Sequence, residues 1–195
     1  DLPADAALVP FTEGEQVTLQ DALYGMLLRG GQDAALAIAE YISPQDPADF
    51  VALMNAKAKA LGCQNTQFTN PHGRHDDNHF TTAADMALIR DAALDNPVFA
   101  QIVSQHAYKL PATNEHPART IESTNLMLDT KSDYYFEEAI GGRTGYTDNA
   151  AYTMAQAAKR GERELVAVSL YTGKYSRWAD ILRLFRYGFA QNAGG

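Results

Sequence analysis

A turn-rich stretch between residues 63 and 81 contains a cluster of groups that could bind a metal ion. Its side chains of that kind are His72, His75, Asp76, Asp77 and His79. Imidazole and carboxylate groups are common ligands of zinc and other transition ions. Pro71 and Gly73 would break the helix that normally presents histidines at such spacing to one ion. We therefore expect a hydrogen-bonded surface loop here, with no bound metal.

The serines show no local pattern typical of a nucleophile. No Gly-x-Ser-x-Gly sequence occurs, and no serine is followed three residues later by a lysine. The serines of the chain are Ser43, Ser104, Ser123, Ser132, Ser169 and Ser176. A Ser-His-Asp triad whose members are far apart in sequence stays open, because such residues need only meet in space.

A glycine-rich segment near the end of the chain carries a cation and a hydroxyl side by side. Residues 141–148 read Gly-Gly-Arg-Thr-Gly-Tyr-Thr-Asp. Arg143 and Thr144 could reach one carboxylate or carbonyl together, and the neighbouring glycines would let a substrate backbone approach closely. The alternative is an edge strand with a glycine bulge and a solvated arginine.

Helix signals fill the first hundred residues that lead to these groups. Thr18 with Asp21 resembles a capping box and starts a helix that Gly30 and Gly31 should end. We expect its apolar face to hold Leu19, Leu23, Met26 and Leu27. An alanine-rich helix follows over 33–42, with alanines that favour deep burial.

Further capping residues predict three more helices. Asp46 and Pro47 begin one that Gly62 ends, with an apolar face of Phe50, Leu53, Met54 and Leu61. Thr82 with Asp85 begins another, and Asn96 with Pro97 begins a short one. The sequence therefore predicts a helical cluster over about residues 18–104.

Extended segments dominate from about residue 106 to 190. Three strands are predicted over 139–144, 151–158 and 164–171, followed by an amphipathic helix over 174–190. The apolar side of that helix is expected to hold Trp178, Ile181, Leu182, Phe185 and Phe189. Helices followed by an antiparallel meander indicate an α+β fold: an antiparallel sheet with packing helices beside the helical cluster.

The net charge and the cysteine count exclude some kinds of partner and of cross-link. The 195 residues contain 16 Lys and Arg against 24 Asp and Glu, a net charge of −8. Nucleic-acid binding needs clustered positive charge, so we expect no nucleic-acid partner. The single cysteine, Cys63, excludes an internal disulfide.

Four ordered stretches together resemble the serine-type D-alanyl-D-alanine carboxypeptidases, the low-molecular-mass penicillin-binding proteins. They are residues 17–35, 50–62, 65–73 and 142–148. The resemblance extends over nearly the whole chain. It implies one β-lactamase/transpeptidase-like domain over 1–195, an extracytoplasmic location, peptidoglycan stem peptides or β-lactams as ligands, and no cofactor.

The resemblance also shows where this chain departs from the family motifs. The family has a nucleophilic serine in Ser-x-x-Lys, a Ser-x-Asn motif and a Lys-Thr-Gly motif that binds the terminal carboxylate. In the family Ser-x-x-Lys lies upstream of the helix that begins near Val17, and these 195 residues contain none. The second motif corresponds to Gly30-Gly31-Gln32, and the third to Arg143-Thr144-Gly145. We therefore expect carboxylate binding at Arg143, Thr144 and Gly145 without hydrolysis.

The upstream segment of the family also has a structural role, which predicts further consequences. Without it we expect an apolar cleft between the helical cluster and the sheet, and lost packing partners for the helix over 33–42. The chain would then pair with the missing segment, dimerise through the cleft, or have a rearranged front end. A non-catalytic module that binds peptidoglycan or a partner protein stays open as the alternative function.

Overall fold

A computed structural model describes residues 2 and 6–191, and its first part is an extended segment laid across two helices. The backbone N–H of Val9 donates to both carboxylate oxygens of Asp33 at 3.1 Å, and that of Phe11 donates at 2.8 Å. The Val9 side chain is buried close to Gly25 and Gly31. The segment is therefore fixed to the helices by both hydrogen bonds and packing.

The first half of the chain is helical. Its α-helices are α1 (Leu19–Tyr24), α2 (Gln32–Ile42), α3 (Pro47–Ala60), α4 (Ala83–Leu94) and α5 (Pro97–Val103), and a π-helical turn over Gly25–Arg29 continues α1. The predicted starts are confirmed, because the side chains of Thr18, Asp46, Thr82 and Asn96 each accept a backbone N–H of the first turn.

Two predicted apolar faces are partly wrong. Leu19 and Leu53, which the sequence pattern places on the inward faces, are exposed. Along the first helix the buried apolar side chains are Ala22, Tyr24 and Leu28. The π-helical turn changes side-chain directions only within and after residues 25–29, so it does not account for the exposure of Leu19, which precedes it.

The expected loss of packing around the alanine-rich helix is wrong for one side of that helix. Ala34 and Ala39 have no exposed surface in α2, and Ala35 and Ile38 are buried too. Part of this packing comes from the N-terminal segment, because Val9 and Ala34 belong to one apolar cluster. Ala37, on the other side of the helix, is exposed.

The second half contains two antiparallel sheets. A hairpin pairs β1 (Ala107–Leu110) with β2 (Arg119–Glu122), and a three-stranded sheet has the order β3 (Ala139–Thr147), β4 (Ala151–Arg160) and β5 (Arg163–Thr172). The closing helix is α6 (Ser176–Ala190). The α+β class and the meander are confirmed, whereas sequence reasoning missed the short hairpin.

Two apolar cores lie within the described residues, one mainly among the helices and one on the three-stranded sheet. One joins the N-terminal segment, the first helices, α5 and the β1–β2 hairpin around Tyr24, Leu28 and Ile102. The other lies between the three-stranded sheet and α6 and includes Trp178, Ile181 and Phe185. Packing on α6 therefore uses the face predicted for it.

Strand β3 comes close to the helical half at one glycine. Gly141 has φ +126°, and a Cβ there would lie 2.5 Å from the carbonyl oxygen of Val103 at the end of α5. Only glycine suits both the conformation and the space. This contact fixes the start of β3 beside the helices and so places the residues that follow.

None of the helices within residues 2 and 6–191 combines the length and the apolar character needed to cross a membrane.

Candidate functional site

The side chain of Arg143 crosses from β3 to the helical half of the molecule. Its Nη1 donates to the carbonyl oxygen of Leu28 at 3.0 Å and to the hydroxyl of Thr124 at 3.1 Å. Burial lowers the pKa of the guanidinium to about 10, so it remains charged at neutral pH. A cation is therefore held at the junction of the two halves.

Gly30 lies directly against this guanidinium. Its φ is +80°, in the left-handed region, where it ends the π-helical turn. A Cβ built at Gly30 would lie 2.0 Å from Nη2 of Arg143. A side chain at position 30 would therefore be strained by its backbone conformation and would also collide with the arginine.

Thr144, the neighbour of Arg143, joins the same network through Thr124. The hydroxyl oxygens of Thr124 and Thr144 are 3.0 Å apart, and the backbone N–H of Thr124 donates to Leu28 O at 3.2 Å. Gly145 is exposed and pairs with Thr153 of β4. Arg143 and Thr144 are thus brought together, as the sequence predicts, but a third residue that sequence reasoning missed connects them.

A buried amide pair supports Thr124 from behind. Asn125 Nδ2 donates to Gln156 Oε1 at 2.8 Å, and Asn125 Oδ1 accepts the backbone N–H of Met127 at 3.1 Å. Both amide side chains are almost fully buried. They tie the segment after β2 to the central strand of the sheet.

The third residue of the Gly30-Gly31-Gln32 motif points elsewhere. Gln32 lines a second cavity, of about 350 Å³, together with Arg74, His75 and residues 146–149. Its Oε1 is buried and accepts no hydrogen bond from the residues that the structure describes. Gly30 therefore adjoins the Arg143 guanidinium and Gly31 borders the same cavity, whereas the amide of Gln32 lies in another cavity.

Two of the three clustered histidines line a cavity with Arg143. This cavity, of about 270 Å³, is bordered by His72, His79, Gly30 and Arg143 among others. His75 lies outside it, with its Nε2 at 3.3 Å from a carboxylate oxygen of Asp77. Within residues 2 and 6–191 there is no group of three His, Cys, Asp or Glu side chains placed to hold a metal ion.

The loop that carries these histidines is held together by its own hydrogen bonds. Asn70 Oδ1 accepts the backbone N–H of Gly73 at 2.8 Å, and Asn70 Nδ2 donates to the carbonyl oxygen of Arg74 at 2.9 Å. The predicted hydrogen-bonded loop is confirmed, and it places His72 and His79 facing a shared space.

The chemistry of the site is that of anion binding. Arg143 supplies a fixed cation and Thr124 and Thr144 supply hydroxyls, each of them hydrogen-bonded within the network rather than to a general base. Nε and Nη2 of Arg143 have no hydrogen-bond acceptor among the described residues. The arrangement can therefore bind a carboxylate, and its described residues include no serine paired with a lysine.

Comparison with protein families gives one match over most of the chain. The model for D-alanyl-D-alanine carboxypeptidase, Peptidase S11, matches residues 3–173. The carboxypeptidase DacB2 of Mycobacterium tuberculosis is 36% identical over 198 residues, which cover 98% of this chain and 65% of DacB2. DacF of Bacillus subtilis is 30% identical over 91% of this chain and 44% of its own length. The chain thus spans between about two fifths and two thirds of these relatives.

Solved structures give the same result for the fold. A D-alanyl-D-alanine carboxypeptidase from Mycobacterium tuberculosis has a TM-score of 0.86 at 36% identity, covering 97% of this chain and 71% of the other. The Streptomyces K15 DD-transpeptidase has a TM-score of 0.87 at 30% identity, covering 95% and 73%. The expected transpeptidase-like fold is therefore confirmed. The chain belongs to the Peptidase S11 family of D-alanyl-D-alanine carboxypeptidases.

Proposed function

We propose that this chain binds peptidoglycan stem peptides that end in D-Ala-D-Ala and that, on its own, it does not hydrolyse them. The terminal carboxylate is bound at the Arg143-Thr144-Gly145 segment of β3, the position that corresponds to Lys-Thr-Gly in the family. The observation that carries the proposal is the charged Arg143 guanidinium beside Thr124 and Thr144, with Nε and Nη2 free of acceptors among the described residues.

The same residues support the lack of turnover. An acyl-enzyme mechanism needs a nucleophile activated by a base, and the 195 residues of this chain contain no Ser-x-x-Lys. Gly30 removes the hydroxyl of the second motif, and Arg143 replaces a lysine with a group that does not exchange protons near neutral pH. Loss of the nucleophile alone removes covalent catalysis, and such units are strongly non-additive.

Two measurements test the proposal. Labelling with a fluorescent penicillin is expected to give no covalent adduct on this chain, and stoichiometric labelling would overturn the claim that it lacks a nucleophile. Titration with a short peptide ending in D-Ala-D-Ala is expected to show saturable binding. The same peptide with an amidated C-terminus is expected to bind far more weakly, because it lacks the charge.

Substitutions show which residues bind the peptide. Arg143→Gln and Thr144→Val are expected to weaken peptide binding by roughly tenfold each, the value of one hydrogen bond to a charged group. Arg186→Gln is the matched control, because Arg186 is an exposed arginine of α6. Equal binding by all three variants, or no saturable binding of the wild type, would remove the proposal.

A further inference from the structure

An open groove with apolar side chains lies on the helical half, between the start of α1 and the end of α2. Its cavity, of about 470 Å³, is lined only by residues between 15 and 41, with Leu19, Ala37 and Tyr41 among them. Neither Gly30 nor Arg143 borders it, and no residue of the three-stranded sheet does. The groove is therefore separate from the strand segment proposed to bind stem peptides.

Large apolar side chains in this groove are open to solvent. Tyr41 is 74% exposed, Leu19 is 45% exposed, and Ile42, next to Tyr41, is exposed as well. Exposed apolar side chains gathered in one place mark an interaction site more often than scattered ones do. A groove between two packed helices suits a third helix, whose apolar side chains enter it at intervals of three and four residues.

The surroundings of the groove are acidic. Residues 12–50 contain seven Asp or Glu and one basic residue, Arg29. Glu40 directly precedes Tyr41 on α2 and is exposed. A partner helix with Lys or Arg beside its apolar side chains would therefore be complementary in charge to this groove.

The outward face of α6 has the apolar side chains that such a helix needs. The opposite face of α6 packs on the sheet through Trp178, Ile181 and Phe185. On the outward face Leu184 and Tyr187 are 46% and 68% exposed. They are three residues apart, so they lie next to each other on the helix surface.

Positive charge flanks these two side chains. Residues 174–191 contain four Lys or Arg and a single acidic residue, Asp180. Arg183 lies one turn before Tyr187, and its exposed guanidinium is 3.5 Å from the Asp180 carboxylate on its own helix. Such an exposed ion pair is weak, so Arg183 is free to pair with a carboxylate of another molecule.

We propose that the groove binds the outward face of α6 from a second copy of this chain. Tyr187 and Leu184 enter the cavity beside Tyr41 and Leu19, and Arg183 pairs with Glu40. The α6 of the same molecule does not fill the groove, because none of its residues lines it. Each copy carries both surfaces, so two copies can make the contact twice in a closed dimer.

Sedimentation equilibrium of the whole chain, with no peptide present, tests the proposal. The average mass is expected to rise above the monomer value as the concentration increases from the micromolar to the submillimolar range. Tyr41→Ser and Tyr187→Ser are each expected to weaken association by at least about tenfold. Tyr135→Ser, at another exposed tyrosine, is the control and should have no effect.

An exchange of charges shows whether these two surfaces meet. Glu40→Arg and Arg183→Glu are each expected to weaken association by roughly tenfold, because each brings like charges together. The double variant restores an opposite pair and is expected to associate within about threefold of the wild type. Asp95→Arg, at an exposed aspartate after α4, makes the same change of net charge as Glu40→Arg and should have no effect.

Three results would overturn the proposal. They are a monomer at every concentration, association that both tyrosine substitutions leave unchanged, and a double charge variant that associates no better than the single ones. The substituted side chains are exposed, so the variants are expected to fold, and circular dichroism checks this. Because no peptide is present, failure of stem-peptide binding would leave the result unaffected.

Discussion

The guanidinium of Arg143 occupies the space in which a side chain at Gly30 would begin, with Nη2 only 2.0 Å from the position of a Cβ. The two residues are 113 positions apart in sequence and, under the correspondence proposed above, mark two departures from the family motifs. Their contact makes the two departures interdependent, since the guanidinium of Arg143 fits only because position 30 has no side chain.

This contact predicts a coupled effect on stability. Gly30→Ser is expected to lower the free energy of unfolding by about 3 kcal/mol, from the left-handed backbone and the collision together. In an Arg143→Lys background the same serine should cost at least about 1 kcal/mol less, because the bulky fork is gone. Urea unfolding of the four proteins measures the coupling.

Gly62 provides the matched control for this experiment. It has φ +90° and no atom within 4 Å of a built Cβ. Gly62→Ser should therefore show only the backbone cost, about 1 kcal/mol, in both backgrounds. If serine costs the same at positions 30 and 62, the contact with Arg143 has no energetic weight.

Removal of the buried amide partner behind Thr124 is expected to be costly. Asn125→Ala leaves Gln156 Oε1 and the backbone N–H of Met127 without their partner, and the expected loss is about 3 kcal/mol. Thermal unfolding measures it. Asn78→Ala, at an exposed loop asparagine of which only the backbone N–H is hydrogen-bonded among the described residues, is the control and should have a much smaller effect; similar losses in both variants would contradict the assigned role of the pair.

Asp85 is expected to make stability depend on pH in the acid range. Its carboxylate accepts hydrogen bonds from Thr66 Oγ1 at 2.7 Å and from the backbone N–H of Asn65 at 2.8 Å, and these bonds lower its pKa. The stabilisation is therefore present above the ordinary aspartate pKa, about 4, and is lost as the pH falls through the lowered value.

The comparison of wild type with Asp85→Asn measures this contribution. The difference in melting temperature should be largest near neutral pH and shrink as the pH falls below about 4. Asp91→Asn, an exposed aspartate of the same helix, is the control. A difference that stays constant down to pH 3 would rule out the carboxylate as its source.

The phenol of Tyr108 is expected to lose its proton at an unusually high pH. Burial and its hydrogen bond to Asp21 Oδ1, at 2.9 Å, raise its pKa to about 12. A pKa raised above the unfolded value, about 10, stabilises the fold below that value, and the contribution is lost as the pH rises from about 10 to about 12. Tyrosinate absorbance is followed as the pH rises in wild type and in Tyr108→Phe. The substitution is expected to remove a transition near pH 12; removal of a transition near pH 10 instead would contradict the raised pKa.

The sequence predicts those parts of the fold that depend on local chemistry. Helix starts at Thr18, Asp46, Thr82 and Asn96 follow from side chains that bond to backbone N–H groups a few residues away. The meander and α6 follow from the spacing of the apolar residues and from the turn residues between the elements. The β1–β2 hairpin was missed because its four-residue strands are too short to show a period.

The site could be predicted only in part for the same reason. Residue types indicated Arg143 and Thr144, and the family motifs indicated Gly30. The bond of Thr124 to Arg143, the turn of Gln32 into a second cavity and the approach of His72 and His79 to Arg143 all depend on tertiary packing. No local pattern in the sequence records such contacts.

The sheet half and the helical half of the chain each contain one intrinsic reporter, which has a practical consequence. The single tryptophan, Trp178, is buried between the three-stranded sheet and α6, with the ring of Tyr134 at 5.8 Å. The single cysteine, Cys63, lies in the helical half with its thiol against the Asp85 carbonyl. Tryptophan fluorescence and thiol labelling can thus report on these two places in one unmodified protein.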